Sequence, residues 1–159
     1  MKHLPILIAI LVVGLATDAA RAQLRVGFHA GADVKPDAIT LGVHATYPVG
    51  QTGVYVVPSV DYGFGTQRIL GQDIDFRSYG GSVRGVYPIP LSRGNDFVFS
   101  PQAGPAVYHQ SLRNCTGTCS STGFGVNVGA GMRFSAFSVT ALAGIGDLPD
   151  ASVRLGLVL

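Results

Sequence analysis

Glutamate and tryptophan are absent from the chain, cysteine occurs only at Cys115 and Cys119, and lysine only at Lys2 and Lys35. Charged residues make up 13% of the sequence, about half of what an ordinary soluble domain carries, so little is available to clothe a conventional water-facing surface. The formal net charge is +2. With no basic run, that near-neutrality argues against electrostatic steering of a polyanion and against nucleic acid as a partner. Past the N-terminus no apolar run reaches the length of a membrane-spanning helix, which excludes an ordinary helical membrane protein. It does not exclude a barrel, whose strands alternate and leave a weak hydropathy signal. Helical periodicity is persuasive nowhere, and no long repeat or low-complexity segment interrupts the chain.

The N-terminus reads Met1-Lys2-His3, then the apolar run Leu4 to Ala16, then Thr17-Asp18-Ala19-Ala20-Arg21-Ala22. A basic start, a short apolar core and an Ala-x-Ala ending describe a secretory signal peptide over residues 1–22, cut after Ala22. The run is too short to span a membrane as a helix. Gln23 rather than Cys would follow the cut, so nothing suggests a lipid-anchored terminus. Residues 23–159 are enough for one domain and too few for two.

Within that domain GFGVNVGAGMRF, Gly123 to Phe134, alternates without a break. Phe124, Val126, Val128, Ala130, Met132 and Phe134 fall on one parity, and glycines with Asn127 and Arg133 on the other, which is the period of a β-strand. Seven further segments respond to the same test: about Leu24–Ala32, Ala38–Tyr47, Gly53–Tyr62, Ile74–Tyr87, Phe97–Tyr108, Phe137–Ile145 and Ala151–Leu159. Of the connections, Gly63–Asp73 and His109–Thr122 read as long polar loops on one side. Ser135-Ala136 is a tight turn on the other side, where Pro88–Asp96 is longer than such a turn needs. Pro58, Pro101 and Pro105 fall inside strands, where each removes a ladder donor, and are expected at bulges or strand ends.

Turning the apolar parity inward would leave a water-facing wall of Gly, Ser, Thr, Asn and Arg. Turned outward, Leu, Val, Ile, Ala and Phe meet lipid. Arg25, His29, His44, Asp61, Arg84, Asn127, Arg133 and Arg154 then fill a narrow polar lumen together with small residues. Asp61 is the one acidic residue clearly on the lumen parity, so the lumen carries excess positive charge or holds water. Closure satisfies every backbone group inside hydrocarbon. Two aromatic bands are expected: Tyr47, Tyr87, Phe97, Phe99, Phe134 and Phe137 near the periplasmic strand ends, and Tyr62, Phe64, Phe76, Tyr79, Tyr108 and Phe124 near the outer ends.

Signal peptide, eight alternating strands, unequal connections and a final strand running to Leu159 resemble the small eight-stranded outer-membrane β-barrels, the OmpA/OmpX-like and opacity-type group, over residues 23–159. The resemblance implies an all-β, eight-stranded antiparallel up-and-down transmembrane β-barrel in the outer membrane of a two-membrane bacterial envelope. It implies outer-membrane lipid and the barrel-assembly machinery as partners, with a possible extracellular ligand at the loops. Members usually end in an aromatic residue read by that machinery, where this chain ends Val153, Leu155, Leu157, Leu159.

Cys115-Thr116-Gly117-Thr118-Cys119, an even pair in an exported chain, points to a disulfide that would stiffen the longest loop. A metal site needs further ligands, and none stands nearby. His29 and His44 share the lumen parity on neighbouring strands, set diagonally, and read as imidazoles hydrogen-bonded within the lumen. His109-Gln110-Ser111 is similar to the catalytic pair of outer-membrane lipid A deacylases, with His as base and Ser as nucleophile. However, Leu112 replaces the usual Asn, and the chain has no Glu to orient the base. The expectation is therefore a monomeric, non-enzymatic barrel without cofactor or metal, structural or surface-interacting through its loops, and not a general porin. The alternatives are a lipid-modifying enzyme at the outer rim and a soluble periplasmic barrel holding an apolar ligand.

Overall fold

A computed structural model of the chain describes residues 24–69, 72–92, 96–112 and 119–158. The expected signal peptide, residues 1–22, lies outside them. The strands are β1 (Arg25–Val34), β2 (Ala38–Pro48), β3 (Tyr55–Ile69), β4 (Gln72–Val86), β5 (Ile89–Pro90), β6 (Phe97–Leu112), β7 (Ser120–Phe134), β8 (Phe137–Gly146) and β9 (Ala151–Val158). All pairings are antiparallel, β1 pairs with both β2 and β9, and β4 pairs with β6. Eight long strands thus form a closed up-and-down barrel. Two-residue β5 adds to the edge of β6, with Ile89 opposite Phe99. Leu91 N donates to Phe97 O at 2.8 Å, so the long Pro88–Asp96 connection carries paired backbone of its own.

The pleat puts the apolar parity outside. Phe28, Val60, Tyr79, Val128, Leu155 and Ile145 are among the exposed large hydrophobics, while His29, Asp61, Ser78, Ser82, Arg84 and Gln102 are buried. A soluble barrel with an apolar interior would need these faces exchanged. Two expected girdle residues are instead interior. Phe76 is 1% exposed, and Tyr108 lines a lumen cavity. Both sit on the polar parity of their strands, and strand geometry outranks side-chain apolarity in deciding which way a residue points.

Pairing runs further than composition suggests. Gly63–Asp73 and His109–Thr122 are for the most part strand: β3 and β4 stay in register from Tyr55↔Val86 to Ile69↔Gln72, and β6 and β7 from Phe97↔Phe134 to Ser111↔Ser120. Backbone bonds are indifferent to the small polar side chains that make these segments look like loops. β3, β4, β6 and β7 have 15, 15, 16 and 15 residues, against 10, 11, 10 and 8 for β1, β2, β8 and β9. The long strands are neighbours, so one side of the barrel rises as a four-stranded wall at the end away from Leu24 and Val158. β2 follows β3 only as far as Gly65, and β8 follows β7 only from Gly125.

The strand prolines are neither bulges nor strand ends. Pro58 pairs in register with Val83 of β4, and the β2–β3 ladder is interrupted between His44↔Ser59 and Tyr47↔Val56 with its register unchanged. Pro105 similarly keeps its place opposite Val126 of β7 and interrupts the β4–β6 ladder between Ser82↔Ala106 and Gly85↔Ala103. Pro101 pairs with Ala130, and its carbonyl accepts from Tyr87 N at 3.1 Å. Each proline withholds one donor from one neighbour, and the other neighbour holds the strand in line.

Candidate functional site

An eight-stranded barrel encloses only enough space for side chains or one small ligand, and here a layer of polar side chains divides that space. β1 and β2 each carry a Gly-x-His step, Gly27-Phe28-His29 and Gly42-Val43-His44. The antiparallel register sets Gly27 opposite His44 and His29 opposite Gly42, so each imidazole lies over the other strand's glycine. A Cβ on Gly27 would stand 2.5 Å from His44 Nε2, a contact only glycine allows. The diagonal placement of the two histidines is as the sequence indicates, and their Nδ1 atoms are 3.3 Å apart.

His29 Nε2 lies 2.5 Å from Asp61 Oδ1. A carboxylate only accepts, so Nε2 carries the proton. With both rings neutral, His29 Nδ1 then accepts from His44 Nδ1–H, leaving His44 Nε2 as a free acceptor. Arg154 Nη1 approaches the same Asp61 oxygen at 3.1 Å, an ion pair whose geometry is not aligned as a hydrogen bond. Ser59 Oγ bonds Asp61 Oδ2 at 3.4 Å and shares a 2.8 Å bond with Ser82 Oγ. Arg84 Nη1 donates to Gln102 Oε1 at 2.8 Å. The contacts centred on Asp61 join β1, β2, β3, β4 and β9 across the lumen, and the Arg84–Gln102 pair joins β4 to β6 beside them.

Above and below the layer the lumen opens again. Toward the chain ends lies a chamber of about 430 Å³ whose wall includes Arg25, His29, His44, Arg84, Arg133 and Arg154. On the other side a cavity of about 40 Å³ holds Asp33, Asn127 and Tyr108 and is roofed by Leu148, 9% exposed, from the β8–β9 turn. Of the sequence-derived lumen residues, the structure brings His29, His44, Asp61, Arg84 and Arg154 together. Arg25 is exposed at the mouth of the chamber and Arg133 half-buried in its wall; Asn127 belongs to the smaller cavity. Sequence reasoning missed Asp33, 6% exposed, because it ended the first strand at Ala32. The odd parity that carries Arg25, His29 and Gly31 continues to Asp33 and could have found it.

At the rim, His109 Nδ1 is engaged by Thr122 Oγ1 at 2.8 Å, and Ser111 sits opposite Ser120. Cys115 lies outside the described residues. Among the described residues no group of three or more His, Cys or Asp side chains is arranged to hold a metal.

The family model described as Autotransporter beta-domain matches residues 9–155. The chain belongs to the autotransporter beta-domain family. This differs from the OmpA/OmpX-like group that the strand pattern resembles, because alternation and strand count are shared by outer-membrane barrels at large and carry no identity-bearing motif. A search of curated protein sequences finds no match. Among solved structures, this autotransporter beta-domain is similar to the N-terminal β-barrel domain of Pseudomonas aeruginosa OprF. Identity is 15% over 86% of this chain and 98% of that one, with a TM-score of 0.51, a likeness of fold. It is also similar to Ail, the attachment invasion locus protein of Yersinia pestis, at 14% identity over 85% of this chain and 92% of that one, with a TM-score of 0.48.

Proposed function

We propose that the mature chain, residues 23–159, is a monomeric outer-membrane β-barrel of a two-membrane bacterial envelope, exported by the 1–22 signal peptide and inserted by the barrel-assembly machinery. Its role is structural or surface-interacting, carried by the tips of the β3–β4 and β6–β7 hairpins, with an extracellular ligand as the partner sought. The observation that carries this reading is the one-sided wall of four long strands, which lifts both hairpins clear of the shorter strands and leaves the upper edges of β3 and β7 without a barrel neighbour. A strand edge of this kind offers main-chain donors and acceptors to a partner.

The occupied lumen supports a role other than that of a general porin. We further propose that Cys115 and Cys119 are joined at the β6–β7 tip; no described cysteine is a free thiol. A rim enzyme is disfavoured because His109 Nδ1 meets the neutral Thr122 hydroxyl where a base-orienting carboxylate would stand, and the chain contains no Glu.

Cells expressing the full chain, and cells in which both hairpin tips are trimmed to the height of β2 and β8, should both place a heat-modifiable barrel in the outer membrane. Only the full chain should adhere to immobilised serum or extracellular-matrix proteins. Equal adhesion would remove the surface-interaction role and leave a structural one. Recovery in the soluble periplasm without detergent would overturn the membrane assignment.

A further inference from the structure

The larger lumen chamber is unusual in its charge. Arg25, Arg84, Arg133 and Arg154 all face it together with His29 and His44, and no carboxylate among the described residues lines it. Asp61, from within the polar layer, pairs with Arg154 and His29, bonds Ser59 and acts at longer range on Arg84, one carboxylate for several cations. Arg84 is 5% exposed; among the described residues its hydrogen-bond partner is the neutral Gln102 amide oxygen, and its Nε has none. Arg154 Nε is likewise buried without a partner.

A guanidinium held away from water and sharing one carboxylate with other cations is costly, and a protein relieves that cost by further pairing or by binding an anion. The chamber has room for a small ion, opens at the barrel end that carries Leu24 and Val158, and presents forked N–H donors suited to two-oxygen recognition. We propose that this chamber binds a small oxyanion, a phosphate or carboxylate, entering from the aqueous side. Arg84 and Arg154 form its floor, Arg133 part of its wall and Arg25 its mouth. Lipid is not the source, since the strands wall the chamber off from the apolar exterior. The proposal does not depend on what the hairpin tips bind.

The test is calorimetric titration of the full mature barrel in uncharged detergent micelles, at fixed ionic strength set with chloride. Inorganic phosphate and succinate are titrated separately. Saturable 1:1 binding of either is expected, and which of them binds identifies the oxyanion class. Arg84→Gln should weaken binding about tenfold, the effect of losing one charge-assisted contact. Arg133→Gln, in the half-buried wall where folding is less at stake than at the buried floor, should weaken it several-fold. Absence of saturable heat for both anions in the unaltered barrel would overturn the proposal, as would unchanged affinity in a folded Arg133→Gln barrel.

Discussion

Asp61→Asn is the most informative single change in the lumen, because it alters charge and leaves volume nearly untouched. In the native layer Asp61, 7% exposed, receives His29 Nε2 at 2.5 Å and Arg154 Nη1 at 3.1 Å on one oxygen, and Ser59 Oγ at 3.4 Å on the other. An asparagine has one acceptor and one donor end. If its oxygen serves His29, its NH₂ takes the place of the oxygen that faces Ser59, and Arg154 is left without an anionic partner. Breaking a buried pair from one side costs about 3–5 kcal/mol. Arg154 also borders the 430 Å³ chamber, where water resolvates part of the stranded charge, so the lower end, about 3 kcal/mol, is expected. The assay is urea unfolding in zwitterionic micelles, followed by circular dichroism and by gel mobility of unboiled samples. A double-mutant cycle with Arg154→Gln should show a coupling of about 1–3 kcal/mol. An Asp61→Asn barrel within about 0.5 kcal/mol of the parent, roughly the limit of non-interacting sites, together with strictly additive costs, would refute the pairing.

Two further changes probe the interior and exterior walls. Gly42→Ala would push a Cβ against the His29 ring and to 2.6 Å from Val60 O, whereas Gly85→Ala meets nothing nearer than Ala103 O at 3.7 Å. The same assay should show a loss of about 1–3 kcal/mol for the first and near-neutrality for the second. Leu155, 62% exposed midway along β9, faces hydrocarbon in the proposed orientation, so Leu155→Arg should cost about 2–4 kcal/mol in lipid vesicles. Ile145→Arg, one residue from the end of β8, should cost about 1 kcal/mol or less. Equal costs at the two depths would argue against a membrane around this band.

The fold was legible because a barrel wall states its geometry in every strand. In β2, Ile39, Leu41 and Val43 alternate with Thr40, Gly42 and His44, and the structure exposes the first set while burying or half-burying the second. Strand ends were less legible, since a ladder continues wherever two backbones stay parallel in space, whatever their side chains. Gly63-Phe64-Gly65-Thr66 has the composition of a turn, yet it pairs throughout with Asp75–Ser78 of β4. Phe76 shows the competition between two signals. Its aromatic character suggested the lipid interface and its parity the lumen, and parity decided because the pleat is fixed before the side chain finds an environment.

The membership of the lumen could be read residue by residue, but its pairing could not. Which arginine meets Asp61 depends on the stagger between strands that are distant in the chain, and closure fixes that only once β1 has joined β9. Asp61 of β3 reaches Arg154 of β9 and His29 of β1 because the shear brings their levels together. The crossed Gly-x-His steps are the exception. A short turn from Val34 to Ala38 fixes the register of β1 against β2, so each histidine's glycine partner was already implied by local sequence. The charge excess was visible in outline, because four lumen arginines face one clearly placed aspartate. The second interior carboxylate, Asp33, borders the smaller cavity and acts on Arg154 from that side, and it does not line the larger chamber. A polar layer that only plugged the barrel would gain nothing from gathering four arginines on one side with no carboxylate among the described residues lining it. That concentration of arginines around the larger chamber is therefore the feature of this lumen that most directly asks for a ligand.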